Sequence, residues 1–163
     1  MSIGVRITTT DGRALAAMAQ LMMTADNKAR LFDEIGHALV ESTRMRFVDQ
    51  TGPDGQPWEP SIRARTQGGE TLRDKGLLMN SITHIVLSDG VEYGTNVPYA
   101  GPLHFGAEIR PVNGPFLRFK MPGGGWVSKR AVTLPARQFL GLNADDEQAI
   151  GDIINTFLQQ GVQ

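Results

Sequence analysis

Histidine is the residue type with which this chain could most readily do chemistry, and it occurs at three positions, His37, His84 and His104. No two of them have the HExxH spacing, or another close spacing, that would make them zinc ligands on one helix face. A metal site built from His84, His104 and a carboxylate such as Glu108 is conceivable, but no local pattern favours it. The chain contains no cysteine, which excludes disulfides and thiolate metal sites.

Nucleophilic catalysis has equally little support in the sequence. Ser81 and Ser88 lack the GxSxG turn that exposes a serine nucleophile. The glycine runs at 68–69 and 123–125 are not followed by the Lys-Ser/Thr of a phosphate-binding loop. We therefore predict no catalytic residue, no metal and no cofactor. A small hydrolase built around His104 stays open as an alternative, which loss of turnover in a His104→Ala variant would favour.

Charge is unevenly distributed along a chain that is nearly neutral as a whole. The 163 residues carry a formal net charge of -1, which argues against bulk electrostatic binding to nucleic acid or anionic lipid. Residues 81–142 contain six basic and three acidic side chains, whereas residues 143–163 contain four acidic and none basic. Such an alternation can steer head-to-tail contacts between copies of a chain. No apolar run approaches the roughly 20 residues of a membrane span.

Basic and aromatic residues are interleaved between residues 116 and 130. Phe116, Phe119 and Trp126 stand among lysines and arginines, a mixture that can contact nucleic-acid backbone and bases. In an alternating strand the same mixture is ordinary amphipathic patterning. A nucleic-acid-binding module that uses this hairpin therefore stays an alternative, and duplex binding that falls steeply with salt would favour it.

The elements that must position these residues are predicted to include both helices and strands. Alternation at Ile3, Val5 and Ile7 predicts a first strand. Apolar stripes predict one helix from about Asp11 to Met23 and a longer one from about Asp26 to Val48 that buries two faces.

The second half of the chain is predicted to be mainly β. Asp89-Gly90 and the glycines at 123–125 are turn signals, each flanked by strand patterns, the last of which runs from Trp126 to Leu134. Two facing hairpins give an antiparallel sheet. Asn143 is then predicted to cap a last helix at about 144–160. Its apolar stripe consists of Ile150, Ile153, Ile154, Phe157 and Leu158. The whole is predicted to be a single α+β domain over residues 1–163, a small antiparallel β-sheet packed by helices.

Residues 50–76 interrupt this pattern and are predicted to form a long polar arm. The segment contains a Pro-Asp-Gly turn and an isolated Trp58 between two prolines. More than about 20 residues without periodicity is unusual inside a compact domain. We expect this arm to be functional or to become ordered when it meets a partner, with Trp58 as its anchor.

Four segments resemble a known family in their order and spacing. They are residues 52–58 (GPDGQPW), 72–82 (LRDKGLLMNSI), 94–106 (beginning GTNVPYA and ending HFG) and 134–142 (LPARQFLGL). Together they resemble the phage virion morphogenesis (tail completion) family, typical of Mu-like and related tailed bacteriophages, over about residues 40–160. The chain departs from it at Gln138, where the family usually has proline, and at Lys75, where it often has threonine.

The resemblance implies a structural, non-enzymatic role in joining heads to tails. Such proteins act as a neck component or as a tail terminator that caps the tail tube, and related neck proteins form rings, commonly of six copies, around a DNA channel. The implied partners are further copies in a homo-oligomeric ring, other neck proteins, the tail tube protein and passing double-stranded DNA without sequence specificity. The implied location is the head–tail junction of the virion, after assembly in the host cytoplasm. A head-side closure or stopper role stays open.

In that setting, aromatic and charged residues of the resembling segments and of the last helix become candidates for subunit contacts. They are Trp58, Arg73, Tyr99, His104, Phe105, Arg137, Asp145 and Asp146. Three basic residues around the glycine turn, Lys120, Lys129 and Arg130, are candidates for facing DNA.

Overall fold

The computed structural model describes residues 3–8 and 25–160. Helices and short antiparallel strands follow one another in separate groups along these residues, which confirms the α+β class. The order is β1 (Ile3–Thr8), α1 (Ala25–Asp49), α2 (Ile62–Gln67), α3 (Leu77–Asn80), β2 (Thr83–Val86), β3 (Gly90–Thr95), α4 (Ala100–Phe105), β4 (Ala107–Ile109), β5 (Leu117–Lys120), β6 (Trp126–Lys129), β7 (Val132–Leu134) and α5 (Ala144–Gln160). The helix predicted at about Asp11–Met23 lies outside the described residues.

The main sheet has three antiparallel strands in the order β1-β3-β2. The predicted Asp89-Gly90 turn connects β2 to β3, where the Leu87 N–H donates to the Gly90 carbonyl oxygen at 2.8 Å. Val91 and Tyr93 of β3 are buried and alternate with less buried neighbours. Gly94 must be glycine, because a Cβ there would lie 2.0 Å from the Ile3 carbonyl oxygen of β1.

Helix α1 is the centre of the core because it packs against both the sheet and α5. Leu31, Ile35 and Leu39 recur every four residues and are buried, as the predicted stripe requires. On α5, Ile150 and Phe157 pack into the same core. The prediction that α1 buries two faces is confirmed. No helix among the described residues has the length and hydropathy needed to cross a lipid bilayer.

The second half of the chain differs from the prediction of one sheet made by two facing hairpins. Strands β5 and β6 pair only with each other, on the two sides of the glycine turn. The predicted strand 126–134 is interrupted after Lys129, and its later part, β7, pairs instead with β4, a strand that was not predicted. β4 has only three residues, which is too short for alternation to reveal it.

The segment 50–76 is largely irregular, as predicted, but it is fixed to the domain. It contains α2, which Ser61 caps by accepting a hydrogen bond from the Ala64 N–H at 3.1 Å. The side-chain amide of Gln50 bonds both the N–H and the carbonyl oxygen of Thr71, at 2.6 and 3.1 Å. Of the two alternatives for this segment, these bonds argue against the one in which it becomes ordered only when it meets a partner. A few side-chain bonds to the backbone hold it, and these leave no periodic signal.

Candidate functional site

Four of the eight residues predicted at subunit contacts lie inside the protein. Trp58, His104, Arg137 and Asp146 expose 8% or less of their surface. Tyr99, Phe105 and Asp145 are exposed, and Arg73 is half-buried in an ion pair with Glu70 at 2.9 Å. The structure therefore corrects the reading of the four buried residues as contact points, because their side chains are already used within the chain.

Asp146 is buried because it completes a polar network around the start of α5. Arg46, on α1, forms a buried ion pair with Asp146 and donates to the Gly141 carbonyl oxygen at 2.7 Å and the Phe139 carbonyl oxygen at 3.2 Å. Asn143 and Asp146 accept hydrogen bonds from each other's N–H, at 2.8 and 3.0 Å. This reciprocal cap confirms Asn143 as the predicted N-cap. It also fixes the direction in which α5 leaves the core.

A groove of about 540 Å³ is bordered by four parts of the chain: α2, the residues that lead into α3, α4, and β7. We call it the α2–β7 groove. Three apolar side chains on its wall remain exposed, Ile62 by 46%, Leu77 by 65% and Tyr99 by 46%. These apolar side chains stay in contact with water in the isolated chain. Covering them with a partner would be energetically favourable. The groove thus has the composition of a docking surface.

Basic side chains outnumber acidic ones around the same groove. Arg63, Arg65, Lys75 and Arg137 line it, against Glu59 and Asp74. Arg63 and Arg137 serve the fold, since Arg63 donates to the Glu70 carbonyl oxygen at 2.6 Å and Arg137 to that of Glu59 at 2.7 Å. Burial lowers the pKa of the Arg137 guanidinium. The exposed basic side chains available to a partner are Arg65 and Lys75, and the acidic Glu59 and Asp74 are exposed beside them.

The opposite charge lies on the outer surface of α5. Asp145 and Asp152 are exposed and seven residues apart, which places them on one helix face; we call this pair the acidic face. The helix contains no basic residue. Glu147 is also exposed but points about 200° away from Asp145 around the axis. The chain therefore carries two different surfaces of unlike charge.

The β5–β6 hairpin presents a third, basic surface. Residues 115–131 contain four basic side chains and no acidic one. Lys120, Lys129 and Arg130 are all exposed. Arg130 lies 5.9 Å from the centre of the Phe116 ring and Arg118 lies 6.0 Å from that of Trp126. The predicted candidates for facing DNA are thus together on one hairpin.

The structure does not bring His84, His104 and Glu108 together. Among the described residues, the one group of three potential metal ligands within reach of one another joins His84 to Asp33 and His37. His104 lies elsewhere, with its ring 4.9 Å from that of Phe139 and 4.5 Å from that of Phe105. The metal site that the sequence left conceivable, from His84, His104 and Glu108, is therefore not formed.

His104, in its neutral form, links α4 to the backbone at Phe139. Its Nδ1 accepts a hydrogen bond from the Phe139 N–H at 3.3 Å, so the ring proton belongs on Nε2. Burial lowers the pKa of the His104 imidazole from its ordinary value of 6.5. A second ring proton would lie on Nδ1 and point at the Phe139 N–H, which would place two hydrogen-bond donors against each other.

Acidification below about pH 6.5 is expected to destabilise the protein through His104. Because the folded pKa lies below the unfolded one, only the unfolded chain binds a proton between the two values. This contribution to stability is intact above the pKa of His104 in the unfolded chain and is lost as the pH falls towards its pKa in the folded chain. The loss is about 1.4 kcal/mol for each pH unit that separates the two pKa values. Melting temperatures of the protein and of His104→Asn, whose amide oxygen can accept the Phe139 N–H, measured from pH 7 to 5, test this. Equal losses in both would contradict it.

Comparison with known proteins identifies the family. The profile of the phage virion morphogenesis family matches residues 10–159, which is almost the whole chain and includes the groove, the hairpin and all but the last residue of α5. Neither a curated protein nor a solved structure shows significant similarity to the chain. The family assignment therefore rests on the profile match, and it agrees with the resemblance of the four segments. The chain belongs to the phage virion morphogenesis family.

Proposed function

We propose that this structural phage protein is a tail terminator, a tail-completion subunit that forms a ring at the head–tail junction around the DNA channel. A ring of identical subunits repeats one heterologous contact until it closes, so each copy must present two different surfaces that fit each other. The observation that carries the proposal is that one chain bears both a basic, apolar-walled groove and an acidic face on α5.

In the proposed contact, the acidic face of one copy enters the α2–β7 groove of the next. Asp145 and Asp152 then lie near Arg65 and Lys75, and unlike charges orient the approach while like charges exclude other pairings. Covering Ile62, Leu77 and Tyr99 supplies the apolar part of the affinity. We favour six copies, with further contacts to the tail tube protein and to other neck proteins.

The basic hairpin is the surface that we assign to the DNA channel. Its exposed Lys120, Lys129 and Arg130 can meet phosphates of any sequence. The net charge of the whole chain is only -1, so few phosphates are neutralised per subunit and the DNA stays free to slide.

Reversing the charge on either surface is expected to abolish the ring. One variant carries Asp145→Lys with Asp152→Lys, and the other carries Arg65→Glu with Lys75→Glu; all four side chains are exposed. Each variant places like charges at every contact, which costs several kcal/mol, so each alone is expected to be monomeric by light scattering after size exclusion. Mixed together, they are expected to form rings again, because both contacts of an alternating ring are then complementary. Such rings have an even number of copies.

Glu147→Lys provides the matched control for this experiment. It makes one acid-to-lysine change on the same helix, half the charge change of the double variant, but away from the acidic face, so it is expected to leave the ring intact. The proposal is contradicted if the unmodified protein is monomeric both alone and with isolated tails. A mixture of the two variants that stays monomeric while the unmodified protein forms rings would contradict the groove as the contact.

Two alternatives give different observations. A head-side stopper is recovered with filled, tail-less heads, whereas a tail terminator is recovered with tails that have never met a head. A nucleic-acid-binding module binds duplex DNA as a monomer, with an affinity that falls steeply with salt.

A further inference from the structure

Three potential metal ligands meet where α1 packs against β2, away from the surfaces described above. Asp33 and His37 are four residues apart, on one face of α1, and His84 reaches them from β2. The His84 Nε2 lies 2.8 Å from one oxygen of the Asp33 carboxylate, and the His37 Nε2 lies 3.6 Å from the other. One carboxylate therefore already draws two imidazole nitrogens together, and the three ligand atoms lie within 4.8 Å of one another.

Gly36 makes this close approach possible. A Cβ at this position would lie 2.3 Å from Cδ2 of the His84 ring, so the ring can rest against the backbone of α1 only because the residue is glycine. Glycine is unfavourable in the middle of a helix, but here it leaves the space that the His84 imidazole occupies. The His84 side chain is 11% exposed, whereas those of Asp33 and His37 are 54% and 71% exposed. One ligand is thus fixed, and two can adjust.

We propose that Asp33, His37 and His84 bind a divalent transition-metal ion of the Zn²⁺ type. Two imidazole nitrogens and one carboxylate oxygen are donors that Zn²⁺ prefers, and three protein ligands leave one position for water. Ligand atoms of a tetrahedral zinc site lie about 3.3 Å apart, a spacing that rotation of the two exposed side chains allows. The ion replaces the His84–Asp33 hydrogen bond and joins α1 to β2. This inference is independent of the proposed ring.

Zinc binding is tested on untagged protein freed of metal with a chelator. Calorimetric titration with ZnCl₂ is expected to show one saturable site per chain. At 100 times the Kd, Zn²⁺ is expected to raise the melting temperature by about 5–10 °C, because it binds the folded chain. Co²⁺ at the same site is expected to give the visible absorption of a four-coordinate complex, and His37→Ala is expected to lose it.

Variants on the surface of α1 separate a built site from adventitious binding. Removing a residue that only hydrogen-bonds to a metal ligand weakens metal binding by about 10- to 100-fold. His37→Ala removes a ligand itself, so it is expected to weaken Zn²⁺ binding by more than that. The same variant is expected to leave the melting temperature of the metal-free protein unchanged. Glu34→Gln, which alters the exposed carboxylate beside Asp33, is expected to bind as the unmodified protein does. No saturable uptake, or equal affinity in His37→Ala and the unmodified protein, would overturn the proposal.

Discussion

Replacing Asp146 by alanine is expected to lower the free energy of unfolding by about 3–5 kcal/mol. The reason is the Arg46 guanidinium, which is 5% exposed and would keep its charge in the interior after its partner is removed. The variant also loses the oxygen that accepts the Asn143 N–H at 3.0 Å, so the start of α5 loses half of its reciprocal cap. Urea unfolding followed by circular dichroism measures the effect.

Asp145→Ala is the matched control for this prediction. It removes the same side chain one position earlier, at an exposed site, and is expected to change the free energy of unfolding by less than about 0.5 kcal/mol. If the two variants were equally stable, the Arg46–Asp146 pair would not hold α5 in place. This pair of neighbours also corrects the expectation that both aspartates serve assembly: Asp146 is buried in the fold, whereas Asp145 is exposed.

Trp58→Ala is expected to cost about 3–5 kcal/mol of the free energy of unfolding. The indole is 8% exposed, packs edge-on against the Phe47 ring at 5.4 Å and donates from Nε1 to the Gln138 carbonyl oxygen at 2.8 Å. Its removal leaves a cavity against α1 and an unpaired carbonyl. Because Trp58 fixes the start of the 50–76 segment, limited proteolysis is expected to cut the α2 region faster in the folded variant.

The other tryptophan of the chain supplies the comparison. Trp126 is 69% exposed on the basic hairpin, and its contact with Arg118 is worth about 0.5–1 kcal/mol at such a site. Trp126→Ala is therefore expected to be close to the unmodified protein in urea unfolding. A Trp58→Ala variant as stable as Trp126→Ala would show that the 50–76 segment is an independent arm after all.

The features that the sequence predicted well are those decided by neighbours along the chain. Examples are the Asp89-Gly90 turn, the Asn143 cap and the stripes of α1 and α5. Each depends on residues a few positions apart, so the spacing of these residues can be recognised in the sequence. The strand break after Lys129 and the short β4 were missed, because a three-residue strand is defined by its partner rather than by its own pattern.

The candidate site was predicted only in part, for the same reason. The sequence correctly placed the exposed Lys120, Lys129 and Arg130 beside one turn. It did not show that Trp58 is internal, because a tryptophan between two prolines has the same local context whether it anchors a partner or its own core. Nor did it pair His84 with Asp33, which lies 51 positions earlier.

By itself, then, the sequence determined the family, the mixed α+β class, the near-neutral charge with an acidic end, and the local starts and turns of the main elements. Only the tertiary structure decided which charges are free to meet a partner. Arg46 and Asp146 are 100 positions apart, and whether such charges neutralise each other depends on burial and distance in space. Coulomb attraction and desolvation act between atoms that folding brings together, and no spacing along the chain encodes that proximity.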